Sequence, residues 1–175
     1  MKRSSLTTLA VAGGMLCLVA LPLRSDAADK KHHFKADLNG YAEVPALSTE
    51  GTGALRLDIN GDDTVIDFTL SYENLTSSPV VAHIHLGRSR TNGGVSVFFC
   101  GGGGKPACPA QPATITGTIM AADILGPASQ GIAAGELAEL IRAIRAGATY
   151  ANAHTATFPG GEIRGQINDE DQRQP

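Results

Sequence analysis

Clustered positive charge is missing from this sequence: after residue 27, no run of Lys and Arg exceeds Lys30-Lys31. A nucleic-acid-binding face needs grouped cations against phosphate, so nucleic acid is not an expected partner. Long apolar runs are equally scarce. Only the first 27 residues contain one, and the rest is expected to be soluble, with no membrane contact once that segment is removed. Nucleophile-elbow contexts around Ser or Cys do not occur, so a serine- or cysteine-type catalytic triad has no support. No internal repeat is present.

The opening segment has the build of an export signal. Lys2 and Arg3 start it, Leu6 to Leu23 is apolar with breaks at Gly13, Gly14 and Pro22, and Ser25-Asp26-Ala27 provides small residues for cleavage. A retained membrane anchor is the competing reading, since the run approaches spanning length. Leu16 before Cys17 is not the small residue that a lipidation site wants, and Lys2-Arg3 is not a twin-arginine pair. Cleavage after Ala27 would leave 148 of the 175 residues, enough for one domain with a real core. That mature chain carries 11 Lys and Arg against 16 Asp and Glu, a net charge of −5. The expected organisation is a signal at 1–27, a domain at 28–168 and a polar, fraying tail at 169–175. Secretion or a periplasmic location follows from that signal.

Two cysteines remain, Cys100 and Cys108, separated by Gly-Gly-Gly-Gly-Lys-Pro-Ala. In an oxidising compartment a close lone pair is expected to form a disulfide. The spacing is too wide for a Cys-x-x-Cys metal knuckle.

Period-two alternation governs the chain from Phe34 to Phe99. Leu55, Leu57 and Ile59 alternate with Arg56 and Asp58, and Ile66, Phe68 and Leu70 alternate with Asp67 and Thr69. Asn60-Gly61-Asp62-Asp63 between these sets marks a hairpin turn. Further strands are expected at 34–38, 80–86, 95–99, 114–119, 149–154 and 162–167. About eight short strands with glycine-rich breaks predict an antiparallel, Greek-key-like sandwich or barrel. One short helix is expected near 136–146, where Leu137, Leu140, Ile141 and Ile144 recur at helical spacing. Its acids come early and its arginines late, which complements the helix dipole.

On a strand, residues two apart share a face. His83 and His85 therefore project together, with Ala82, Ile84 and Leu86 towards the core. In 149–154, Tyr150, Asn152 and His154 share a face, and in 162–167 Glu162, Arg164 and Gln166 do. If Thr155 to Gly161 folds these segments into a hairpin, His154 opposes Glu162 and Asn152 opposes Arg164. Six polar side chains then line one patch. In one reading of that patch, the histidines and charges form a hydrogen-bonded network that fixes the sheet. In the other, His83, His85 and His154 bind a divalent ion with one position open, backed by Asn152, Glu162 and Arg164, with Glu162 or Asn152 orienting a ring. Three imidazoles suit copper or zinc.

The segments Ala82-His83-Ile84-His85-x-Gly87, Gly93-Gly94-Val95, Tyr150-Ala151-Asn152-Ala153-His154-Thr155 and Pro159-Gly160-Gly161-Glu162-Ile163-Arg164-Gly165-Gln166 together resemble the CHRD domain. Leu38 to Pro45 and Gly51-x-Gly53 are similar to that domain's opening. The likeness runs from about Phe34 to Ile167. It implies an extracellular or exported module. The domain is named for chordin, which binds growth factors through cysteine-rich modules that this chain lacks, so growth-factor binding is not implied here. The Cys100–Cys108 insertion stands outside the family pattern. A weaker likeness is to copper/zinc superoxide dismutase, matched here only by His83 and His85.

Two functions are then open. One is a non-enzymatic exported module that binds an extracytoplasmic partner, a matrix component or a metal. The alternative is a mononuclear copper redox enzyme.

Overall fold

The computed structural model describes residues 32–169. The expected export signal and all but the first residue of the expected tail lie outside that range. Among the described residues eight strands form: β1 (His33–Asn39), β2 (Thr52–Ile59), β3 (Ile66–Glu73), β4 (Pro79–Leu86), β5 (Gly94–Cys100), β6 (Ala113–Ile119), β7 (Thr149–Thr155) and β8 (Ile163–Gln166). One α-helix, α1 (Leu137–Arg145), precedes β7. The expected all-β architecture with one short helix is therefore present, with element ends displaced by a few residues.

Alternation in the sequence becomes alternation in burial. Leu55, Leu57 and Ile59 of β2 and Ile66, Phe68, Leu70 and Tyr72 of β3 are buried, while Arg56, Asp58, Asp67 and Thr69 face solvent. Each fully buried large aliphatic contributes about 1.5–3 kcal/mol relative to exposure, so this face dictates the pairing register. The turn between β2 and β3 is closed by Asn60, whose Oδ1 accepts from the backbone N–H of Thr64 and of Val65.

All neighbouring pairs are antiparallel, and the strand order is β5-β4-β7-β8-β1-β2-β3-β6. The sheet curls until its two ends approach each other as a nearly closed barrel. Phe68 of β3 and Phe99 of β5 meet inside it with ring centroids 4.8 Å apart. Where β8 joins β1 the backbones come so close that a Cβ on Gly165 would strike the Asp37 carbonyl, which explains a glycine in mid-strand.

Helix α1 buries Leu137, Leu140, Ile141 and Ile144. Its last turn is tied to the β2–β3 turn by a two-pronged ion pair, Arg145 Nη1 and Nη2 to Asp63 at 2.8 and 2.7 Å. Gly147, at φ 61°, takes the left-handed conformation that ends the helix. Packing continues to the last described residue, since Ile167 and Asp169 are both buried.

The functional geometry starts from β4, β7 and β8. Ala82, Ile84, Ala151, Ala153 and Ile163 point into the core. Their alternates, His83, His85, Tyr150, Asn152, Arg164 and Gln166, lie on the other face yet are also buried. Hydrogen bonds to residues 43, 87–93 and 159 show which loops cover them.

Candidate metal centre

In the β4–β7 register His83 opposes Asn152, His85 opposes Tyr150 and Val81 opposes His154. His154 is thus diagonal to His83 on the same face, a distance that long side chains span. The ring centroids of His83 and His85 are 4.4 Å apart, and those of His83 and His154 are 4.7 Å apart. One ligand nitrogen from each of the three rings lies within 4.8 Å of the others. The sequence expectation of convergence across the chain holds in the structure. Register shifts in the β4–β5 pairing fall beside His83 and beside His85, where irregularities re-aim side chains.

The hydrogen bonds assign most of the proton positions. His85 Nδ1 lies 2.8 Å from the Gly93 carbonyl and His154 Nδ1 lies 2.9 Å from the Pro159 carbonyl. A carbonyl only accepts, so both Nδ1 atoms carry the hydrogen and both Nε2 atoms keep a lone pair. Those Nε2 atoms, together with His83 Nδ1, are buried with no hydrogen-bond partner. Burial pushes the His83 pKa down to about 3, with His85 and His154 adding repulsion. Burial likewise pushes His85 down to about 4, and lowers His154. All three rings are therefore neutral at neutral pH, the form in which imidazole binds a metal.

Around the rings, Tyr150 stacks on His85 with centroids 4.6 Å apart and planes 8° apart. Arg164 lies over the other side of Tyr150, its Cζ 3.5 Å from the ring centroid. Arg164 donates to Asn92 Oδ1 at 3.2 Å, to the Arg88 carbonyl at 3.1 Å and to the Thr91 carbonyl at 2.6 Å. The Tyr150 hydroxyl accepts from Gly93 N–H at 3.2 Å. Arg164 and Tyr150 thereby hold the loop whose Gly93 carbonyl orients His85. Phe98 packs nearly perpendicular to His83, with ring centroids 5.1 Å apart, and walls the site on the β5 side.

A family model for the CHRD domain matches residues 34–167. The chain belongs to the CHRD domain family. No curated protein and no solved structure matches it.

Within this CHRD domain, two of the three residues that strand parity picked to back the rings hydrogen-bond away from them. Asn152 opposes Arg164 as expected, but its Nδ2 donates to Glu43 Oε1 at 2.6 Å and to the Ile163 carbonyl at 2.9 Å rather than to a histidine. Glu162 leaves the polar row altogether. β8 starts only at Ile163, and the Glu162 carboxylate accepts from Thr49, Thr155 and both the hydroxyl and N–H of Thr76. Burial alone would raise its pKa, but the hydrogen bonds from Thr155, Thr76 and Thr49 outweigh that and hold it low. Glu162 is a buried tie between three chain segments. Arg164 does stand behind the site, through Tyr150 rather than by touching a ring of the cluster.

The orienting groups are instead the backbone carbonyls of Gly93 and Pro159. The sequence hint to them was the pair of glycine-rich segments flanking the histidine strands. Glu43 was missed as well. Burial raises its pKa, partly offset by the Asn152 hydrogen bond and the Arg164 charge. It sits where a Cβ on Gly161 (φ 121°) would collide with its carboxylate and with Asn152.

The Cys100–Cys108 disulfide of the CHRD domain closes a loop with Cα atoms 4.9 Å apart. Side chains at Gly102 or Gly103 would strike the Phe98 ring, so the glycine run lets this loop lie flat on the wall of the histidine site. Among the described residues, no helix is long and apolar enough to cross a membrane.

Proposed function

We propose that this CHRD domain is an exported, non-enzymatic module that binds one transition-metal ion, copper or zinc, through His83, His85 and His154. One observation carries the reading: three converging imidazoles each keep a buried nitrogen without a hydrogen-bond partner. A buried polar atom left unpaired costs about 1–3 kcal/mol. Three such atoms facing one another are costly as a structural network, whereas a metal ion satisfies all three. The donor set also fits the chemistry, since two rings are locked by backbone carbonyls into the tautomer that offers Nε2.

Two features favour a binding role over catalysis. Glu43 is engaged by Asn152, and Glu162 by three threonines, so neither carboxylate hydrogen-bonds a ring of the cluster as a proton relay would require. The disulfide suits an oxidising compartment, in keeping with a secreted or periplasmic domain that meets an extracytoplasmic partner or matrix component.

Metal analysis of the purified protein tests the proposal. After chelation and reloading with zinc or copper, the wild type is expected to retain one ion per chain. The His83→Ala/His85→Ala/His154→Ala protein, checked for fold by circular dichroism, is expected to retain none. Equal retention by both proteins, or none by either, overturns it. A superoxide-consumption assay on the copper-loaded wild type separates the module from a copper redox enzyme.

A further inference from the structure

The three imidazoles form a ligand set without a carboxylate. An ion held there keeps its full charge, while His83 and His85 are buried and His154 is half-buried with its Nε2 out of solvent. The cost of burying an ion rises steeply with its charge, so a neutral, enclosed ligand set favours a single positive charge over a double one.

Arg164 acts in the same direction. Its guanidinium, Tyr150 and His85 form one continuous stack, with 3.5 Å from Cζ to the tyrosine centroid and 4.6 Å between the two rings. Arg164 is itself 2% exposed, and its hydrogen bonds go to neutral oxygens of Asn92, Arg88 and Thr91. Glu43, the nearby carboxylate whose field reaches Arg164, accepts its hydrogen bond from Asn152 instead. A fixed cation thus stands one ring behind the His85 ligand, with the low-dielectric tyrosine ring between. Repulsion across that gap acts twice as strongly on a doubly charged ion as on a singly charged one.

We infer that the histidine site selects copper in its monovalent state, and that Arg164, acting through Tyr150 on His85, is a positioning residue that strengthens this preference. The inference rests on the metal-binding reading above. The redox event is a single electron passing from an electrode to Cu(II) to give Cu(I), with no bond or proton change required.

Electrochemistry of the copper-loaded protein decides it. The wild-type potential is expected to lie above that of the aquated copper couple. Arg164→Gln is expected to lower the ratio of Cu(I) to Cu(II) affinity by about tenfold, about 59 mV for one electron. Arg164→Lys, which keeps the charge, is expected to stay close to wild type. If both variants shift alike, or neither does while copper is retained, charge at position 164 does not tune the site and the inference fails alone. If Arg164→Gln does not fold, the wild type still decides, because a potential at or below the aquated couple overturns the inference. Failure of the wild type to bind copper or zinc removes the underlying reading as well.

Discussion

Val81 of β4 stands opposite His154 of β7, and this pairing sets His154 diagonally beside His83. A slip of one residue would turn the whole alternate set of β7 to the other face and send His154 into the core. The apolar residues Ala151 and Ala153, packed inside against Ala82 and Ile84, hold the register that assembles the cluster.

Acid should destabilise the metal-free protein through these rings. The folded pKa values, about 3 for His83 and about 4 for His85, lie below the ordinary histidine value of about 6.5. Between those limits the unfolded chain binds protons that the native state refuses. The stability is fully present above about pH 6.5 and falls as pH drops towards 4, by up to about 1.4 kcal/mol per pH unit per ring. Urea unfolding at a series of pH values measures this. A triple His→Gln variant should show a flatter dependence, and an identical slope would refute the assignment.

Thiol titration under denaturing, non-reducing conditions should find neither Cys100 nor Cys108 free. Replacing both by Ser should cost roughly 2.5 kcal/mol of stability in the chain-entropy account of so short a loop, with the fold retained. Two reactive thiols in the oxidised protein would remove the constraint on the loop over Phe98.

Glu162→Gln distinguishes a structural tie from a metal-supporting role. Converting the buried carboxylate to an amide keeps its size but loses charge-assisted bonds from Thr49, Thr76 and Thr155, at a cost of about 3 kcal/mol. Metal affinity should be unchanged under conditions where the variant is folded. A selective loss of metal with normal thermal stability would contradict the observed geometry.

N-terminal sequencing of the exported protein should place its start near Ala28. Recovery of the intact chain in the membrane fraction would support the anchor reading instead.

Much of the fold was legible in the sequence because strand parity is local. Successive side chains must point to opposite faces, so Leu55, Leu57 and Ile59 inside and His83 and His85 together on one face follow from spacing alone. The helix at Leu137–Arg145 was legible for the same reason, its apolar stripe matching the helical period.

What spacing does not determine is which strands pair and where a strand begins, since those depend on packing between segments distant along the chain. The β4–β7 register that brings His154 to His83 was decided by the core. So was the start of β8 at Ile163, which frees Glu162 to turn towards Thr49, Thr76 and Thr155. The carbonyls of Gly93 and Pro159 that orient two of the rings carry no side-chain signature, because every residue has a carbonyl and only the folded loops aim these two at imidazole nitrogens. The sequence thus determined the residue types and the faces they occupy. The tertiary structure decided their partners, because pairing is settled by burying the apolar faces and satisfying backbone polar groups across the whole sheet.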